Sequence, residues 1–157
     1  MTEVTSFEKR RIDAQAASFD AFNIGDVHVT YGRTVTQTHL VNFTAMAGMQ
    51  LPLFINHNLA QDGPYGEPIV PGFLTASLSG GMMESVLGTN TLAGLGMDGF
   101  RFKTPVKMGD TLHAEIEIVS KKVTQDEKRG VLGVHVDVVN HRSEVVLEYT
   151  AKVLMNR

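Results

Sequence analysis

The second half of the chain alternates apolar and polar residues at every other position. Between Thr111 and Lys121, Leu112, Ala114, Ile116 and Ile118 interleave with His113, Glu115 and Glu117. From Val131 to Asn140, Leu132, Val134, Val136 and Val138 interleave with His135 and Asp137. From Val145 to Met155, Val145, Leu147, Tyr149, Ala151 and Val153 stand against Val146, Glu148, Thr150 and Lys152. A period of two marks a strand with one buried face. The stretches between these runs, 125–130 and 140–143, are short and polar, which predicts antiparallel hairpins. A fourth run, Leu95 to Lys103, carries Gly96, Gly99, Phe100 and Phe102 and reads as a further strand. Earlier, Val27, Val29 and Tyr31 are expected on one face of a short strand, with His28, Thr30 and Gly32 on the other.

Two stretches change period. Leu40, Phe43 and Ala47 fit a short amphipathic helix behind a Thr36 N-cap, ended by Gly48. Pro71 to Leu87 reads as a longer helix with Pro at its first turn. Phe73, Ala76, Gly80, Met83 and Leu87 share one of its faces. Gly80-Gly81 mid-helix costs roughly 1 kcal/mol per Gly relative to Ala. The expectation is that this cost lets the helix backbone lie close against the sheet, because a sheet with one apolar face needs a covering layer.

Between these helices the chain is unusually apolar for a connection: Met49, Leu51, Leu53, Phe54, Ile55 and Leu59. Such a segment is expected to be buried or to line a pocket for an apolar ligand. Residues 61–68 form a turn-rich loop containing Asp62, Tyr65 and Glu67. Residues 1–25, with Phe7, Ile12, Phe19, Phe22 and Ile24, are expected to be a leader that packs onto the body of one domain spanning 1–157.

The segment from Phe43 to Leu74 resembles the MaoC-like, R-specific enoyl-CoA hydratase/dehydratase family of hotdog-fold proteins. Phe43, Gly48, Pro52, Ala60 and Ile69-Val70-Pro71-Gly72-Phe73-Leu74 fall in register with its pattern. Pro105 to Leu112 resembles its later stretch. The resemblance implies an α+β hotdog fold, an antiparallel sheet wrapped around one central helix. It implies reversible hydration of a 2-enoyl thioester, an acyl-CoA ligand, a homodimer or larger homo-oligomer, and no cofactor. It also marks a departure. Met49 stands where the family carries its catalytic Asp, and Phe54 where it carries its catalytic His.

With 157 residues, of which 43% are hydrophobic, the chain can bury a core. It has no cysteine, so disulfides and thiolate chemistry are excluded. A net charge of -3 argues against nucleic-acid binding. No apolar run reaches membrane-spanning length, and a cytoplasmic location is expected. The histidines show no metal-ligand spacing, so no metal is expected.

Hydration needs a base for water, an acid for the α-carbon and donors for the thioester oxygen. The family resemblance assigns the donor to the amide of Gly72, at the start of the central helix, with Pro71 and Phe73 beside it and Met49 and Phe54 facing the substrate. For proton transfer the nearest polar cluster is Asn56-His57-Asn58. His57 is a candidate base, with Asn56 holding water or the thioester. The alternative is that Asn56 only caps a one-turn helix and His57 faces solvent. Three functional readings follow: a hydratase/dehydratase; a degenerate hotdog domain that binds acyl-CoA or serves as a non-catalytic subunit; and a thioesterase using Glu84. Arg101, Lys103 and Lys107 are candidates to meet the CoA phosphates.

Overall fold

The computed structural model describes residues 17–157. Six strands form one antiparallel sheet: β1 (Val27–Val29), β2 (Arg33–Thr34), β3 (Thr91–Phe102), β4 (Thr111–Val123), β5 (Arg129–Asn140) and β6 (Val145–Asn156). Their order is β1-β4-β5-β6-β3, with β2 also pairing β4. The helices are α1 (Gln37–Ala47), α2 (Pro52–Ile55), α3 (His57–Gln61) and α4 (Gly72–Leu87).

The three C-terminal runs become β4, β5 and β6, and their alternation decides which face is buried. Leu112, Ala114, Ile116, Ile118, Leu132, Val134, Val136, Val138 and Leu147 are all fully buried. Register follows: Ile116 stands opposite Val136, and Val136 opposite Tyr149. The inner residues thus line up across three strands. β1 differs from expectation. His28 pairs with Ile116, which turns its ring to the inner face, where Phe22 meets it edge-on at 5.6 Å. Tyr31 is exposed, and the strand breaks before β2.

The helix α4 covers this inner face, but not with the expected stripe. Its buried residues are Leu74, Thr75, Leu78, Ser79, Met82, Met83 and Leu87. Phe73 is exposed. Ser79 shares a hydrogen bond of 2.9 Å with the Tyr149 hydroxyl. Burial pushes that phenol's pKa above its ordinary value, and the Ser79 bond opposes the shift. The glycine pair does not serve close packing either. A Cβ at Gly80 or Gly81 would meet nothing within 4 Å.

The described part of the leader packs on the outer end of the sheet. Phe19 and Phe22 are buried, the Phe22 carbonyl accepts from Lys121 Nζ, and Asn90 donates to the Ala17 carbonyl at 2.8 Å. Phe7 and Ile12 lie outside the described residues.

Candidate functional site

The break between α1 and α4 builds a wall. Thr36 caps α1 through a reciprocal pair with His39, and Gly48 ends it in the left-handed conformation at φ 66°. Pro52 then starts α2 and Asn56 starts α3, its side-chain oxygen accepting from the Leu59 amide at 3.1 Å. The returning chain is fixed at both sides. Ile69 N–H donates to the Leu53 carbonyl at 3.3 Å, and Val70 N–H to the Val106 carbonyl at 2.8 Å. Lys107 ties down the turn-rich loop through Glu67 at 2.8 Å and the Tyr65 carbonyl at 3.3 Å.

These contacts enclose a cavity of about 570 Å³ at the head of α4. Met49, Leu53 and Phe54 line one side, and Ile69, Val70, Gly72, Phe73 and Thr75 the helix side. Phe102, Lys103 to Val106, Val146 and Tyr65 complete the lining. The size suits a small organic group, and the surface is mainly apolar.

At the cavity's helix side, Pro71 is the N-cap and its carbonyl accepts from Leu74 and Thr75. Among the described residues the amides of Gly72 and Phe73 have no hydrogen-bond partner. They carry the positive end of the helix dipole, which suits a partly negative oxygen.

Of the residues expected at a site, Gly72, Phe73, Met49 and Phe54 are brought together around this cavity. Pro71, the N-cap, is buried and does not line it. Asn56 and His57 do not line it either. The Asn56 carboxamide is occupied as a helix cap, and His57 is exposed at the start of α3. Glu84 is exposed, about 18 Å along α4 from Gly72 at the usual rise. Of the basic residues, Lys103 lines the cavity and pairs with Glu148 at 2.5 Å, while Lys107 is committed to Glu67. Arg101 is exposed on β3.

Residues 20–140 match the family model described as the MaoC like domain. The chain belongs to the MaoC-like dehydratase family. Among its relatives is beta-methylmalyl-CoA dehydratase of Chloroflexus aurantiacus, 30% identical over 88% of this chain. The MaoC-like chain described here spans only 40% of that relative's length. A crystal structure of a monoamine oxidase regulatory protein from Archaeoglobus superposes with a TM-score of 0.81 at 30% identity, covering 93% of this chain and 98% of the other. A Mycobacterium tuberculosis protein with a double hotdog fold superposes at 0.77 and 21% identity, over 89% of this chain and 44% of its own. The last comparison bears on the fold alone, and the fold is hotdog: a six-stranded antiparallel sheet holding α4 against its inner face.

Thr75, Phe102, Thr104 and Val146 line the cavity without any site signal read from the sequence, and the first two touch or adjoin Gly72. Phe102 reads in the sequence only as a strand residue, yet its ring lies on the backbone of Gly72: a Cβ there would be 2.7 Å from Phe102 Cε1. Thr75 reads in the sequence only as a residue of the helix. Its position one turn beyond Gly72 was the available signal, since residues three apart share a helix face. Among the described residues no group of His, Asp and Glu is placed to hold a metal, and no helix is long and apolar enough to cross a membrane.

Proposed function

We propose that this MaoC-like domain binds an acyl-CoA in the cavity at the head of α4, and that the reaction it serves is reversible hydration of a 2-enoyl thioester. The observation that carries this reading is the unpartnered Gly72 amide, which opens onto an apolar cavity lined by Met49 and Phe54. Negative charge builds on the thioester oxygen as the α-carbon exchanges its proton. A fixed donor at that oxygen is worth about 10²–10³-fold in rate. The apolar lining receives the acyl chain, and Lys103 stands at the lining for the CoA phosphates or pantetheine. The Chloroflexus relative is named for dehydration of a CoA ester, which supports the same chemistry here.

A second reading is favoured by the lining itself. No carboxylate and no imidazole is among its residues. Losing an acid or a base costs about 10²–10⁴-fold for each group. A domain with this lining holds a thioester without turning it over, unless a second chain brings the proton-transfer groups. Glu84 is too remote from the cavity to support a thioesterase. As an assembly we propose two copies joined along β3, whose outer edge has no strand partner among the described residues.

The test is to titrate the protein with butyryl-CoA by calorimetry and to follow loss of the enoyl absorbance of crotonyl-CoA. Binding with turnover supports the hydratase reading. Binding without turnover supports the second. Absence of binding to both thioesters overturns both.

A further inference from the structure

Thr75 is 1% exposed and lines the cavity, and its hydroxyl has no hydrogen-bond partner among the described residues. This sets it apart within its own helix. Ser77 donates to the Phe73 carbonyl at 2.8 Å, Ser79 to Ala76 at 2.8 Å and Ser85 to Met82 at 2.6 Å. Such back-bonding is the ordinary fate of a helical hydroxyl. At Thr75 the carbonyl four residues back belongs to Pro71, and it already accepts from the Leu74 and Thr75 amides at 2.9 and 3.2 Å. The hydroxyl is left over. Leaving a buried hydroxyl unsatisfied is costly, so such groups are rare in folded chains unless something arrives to meet them.

Geometry says where that something sits. A helical Cα–Cβ bond tilts toward the helix N-terminus, so the Thr75 side chain leans over the turn that contains Gly72. Gly72 and Thr75 are three residues apart on one face, and both line the same cavity. Two unpartnered donors, the Gly72 N–H and the Thr75 O–H, therefore stand one helical turn apart at the positive end of α4.

We propose that Thr75 supplies the second hydrogen bond to the thioester carbonyl oxygen, alongside the Gly72 amide. Thr75 is then a substrate-binding residue that selects ligands carrying a carbonyl at this depth, and the thioester satisfies a hydroxyl that the fold leaves open. The assignment rests on the acyl-CoA reading given above.

The test compares butyryl-CoA with S-butyl-CoA, the thioether that lacks only the carbonyl oxygen, by calorimetry on the wild type, Thr75→Val and Thr75→Ser. Thr75→Val keeps the shape and removes the hydroxyl. It is expected to weaken butyryl-CoA binding about 3- to 10-fold, the loss of one neutral hydrogen bond, and to leave S-butyl-CoA unchanged. Thr75→Ser is expected to bind both as the wild type does. The thermal midpoint of Thr75→Val is expected to equal or exceed that of the wild type, because no internal bond is lost. Equal weakening of both ligands, or no weakening of either, overturns the role of Thr75 and leaves the acyl-CoA site standing. A wild type that binds neither ligand overturns the site and the role together.

Discussion

Gly72 shows how one position can serve two demands. Its missing side chain makes room for the Phe102 ring, which closes the Cα side of the residue. Its amide stays open because it lies in the first helical turn behind Pro71. The sequence motif made the amide legible but not the ring, since Phe102 is 30 residues away and reaches Gly72 only through sheet curvature. Asn56 and His57 separate in the same way. Both are polar and adjacent, yet Asn56 is committed to the Leu59 amide while His57 is exposed. Asn56→Ala is expected to cost about 1 kcal/mol of stability, read from denaturant unfolding. His57→Ala is expected to change stability little, and crotonyl-CoA turnover, where the wild type shows any, by less than tenfold. A loss of about 10²-fold or more on His57→Ala would instead make it the base, reaching the reacting carbons from a second copy.

At the scale of elements, period-two alternation was a good guide where strands are central. β4 and β5 have neighbours on both sides, so from Leu112 to Ile118 and from Leu132 to Val138 the inner residues are fully buried. His113, Glu115, Glu117, His135 and Asp137 face outward and are at least partly exposed. The alternation shifts at the irregularity after Ile118, and Val139 is buried although it faces outward. Alternation failed at β1, a strand of three residues whose facing is set by pairing with β4 and by the Phe22 ring rather than by its own pattern. Helical spacing misplaced the face of α4 for a different reason, catching Met83 and Leu87 but not the rest of the buried stripe. That helix is apolar nearly all round, so the spacing of its large residues does not single out a face, and the sheet decides. The buried stripe runs through Leu74, Leu78 and Met82, which leaves Gly81 exposed with open space where its Cβ would be. Gly81→Ala is therefore expected to stabilise the chain by about 0.5–1 kcal/mol in denaturant unfolding, through lost freedom of the unfolded state and better helix propensity. Destabilisation would mean that another molecule packs on this stretch of α4.

Among the described residues the sheet has two outer edges, β1 with β2 at one end and β3 at the other, and the β3 edge adjoins the cavity. The wall of the cavity was only partly visible in the apolar run from Met49 to Leu59. Met49, Leu53 and Phe54 line the cavity, whereas Leu51, Ile55 and Leu59, expected to be buried or to line it, are exposed. The cavity's far side was not visible, because Phe102, Thr104 and Val146 come from distant strands and meet the wall only after the sheet closes on α4. β3 is the outermost strand of the sheet on that side, and it ends at Phe102, in the cavity lining. Its Leu92, Leu95 and Met97 are each about half exposed. A long apolar edge of this kind pairs with another strand unless it is protected, and its symmetric partner of least cost is the same strand of a second copy. Such pairing sets the second chain next to the cavity, where it would supply whatever proton-transfer groups the first chain lacks. Leu95→Lys with Met97→Lys places two charges on the edge without touching the core. Light scattering behind size exclusion is expected to give the mass of two chains, or a multiple, for the wild type and of one chain for the double variant. Butyryl-CoA affinity should then fall with dimer content. A wild type that runs as a single chain at micromolar concentration, with acyl-CoA still bound, would show that the cavity is complete without its neighbour.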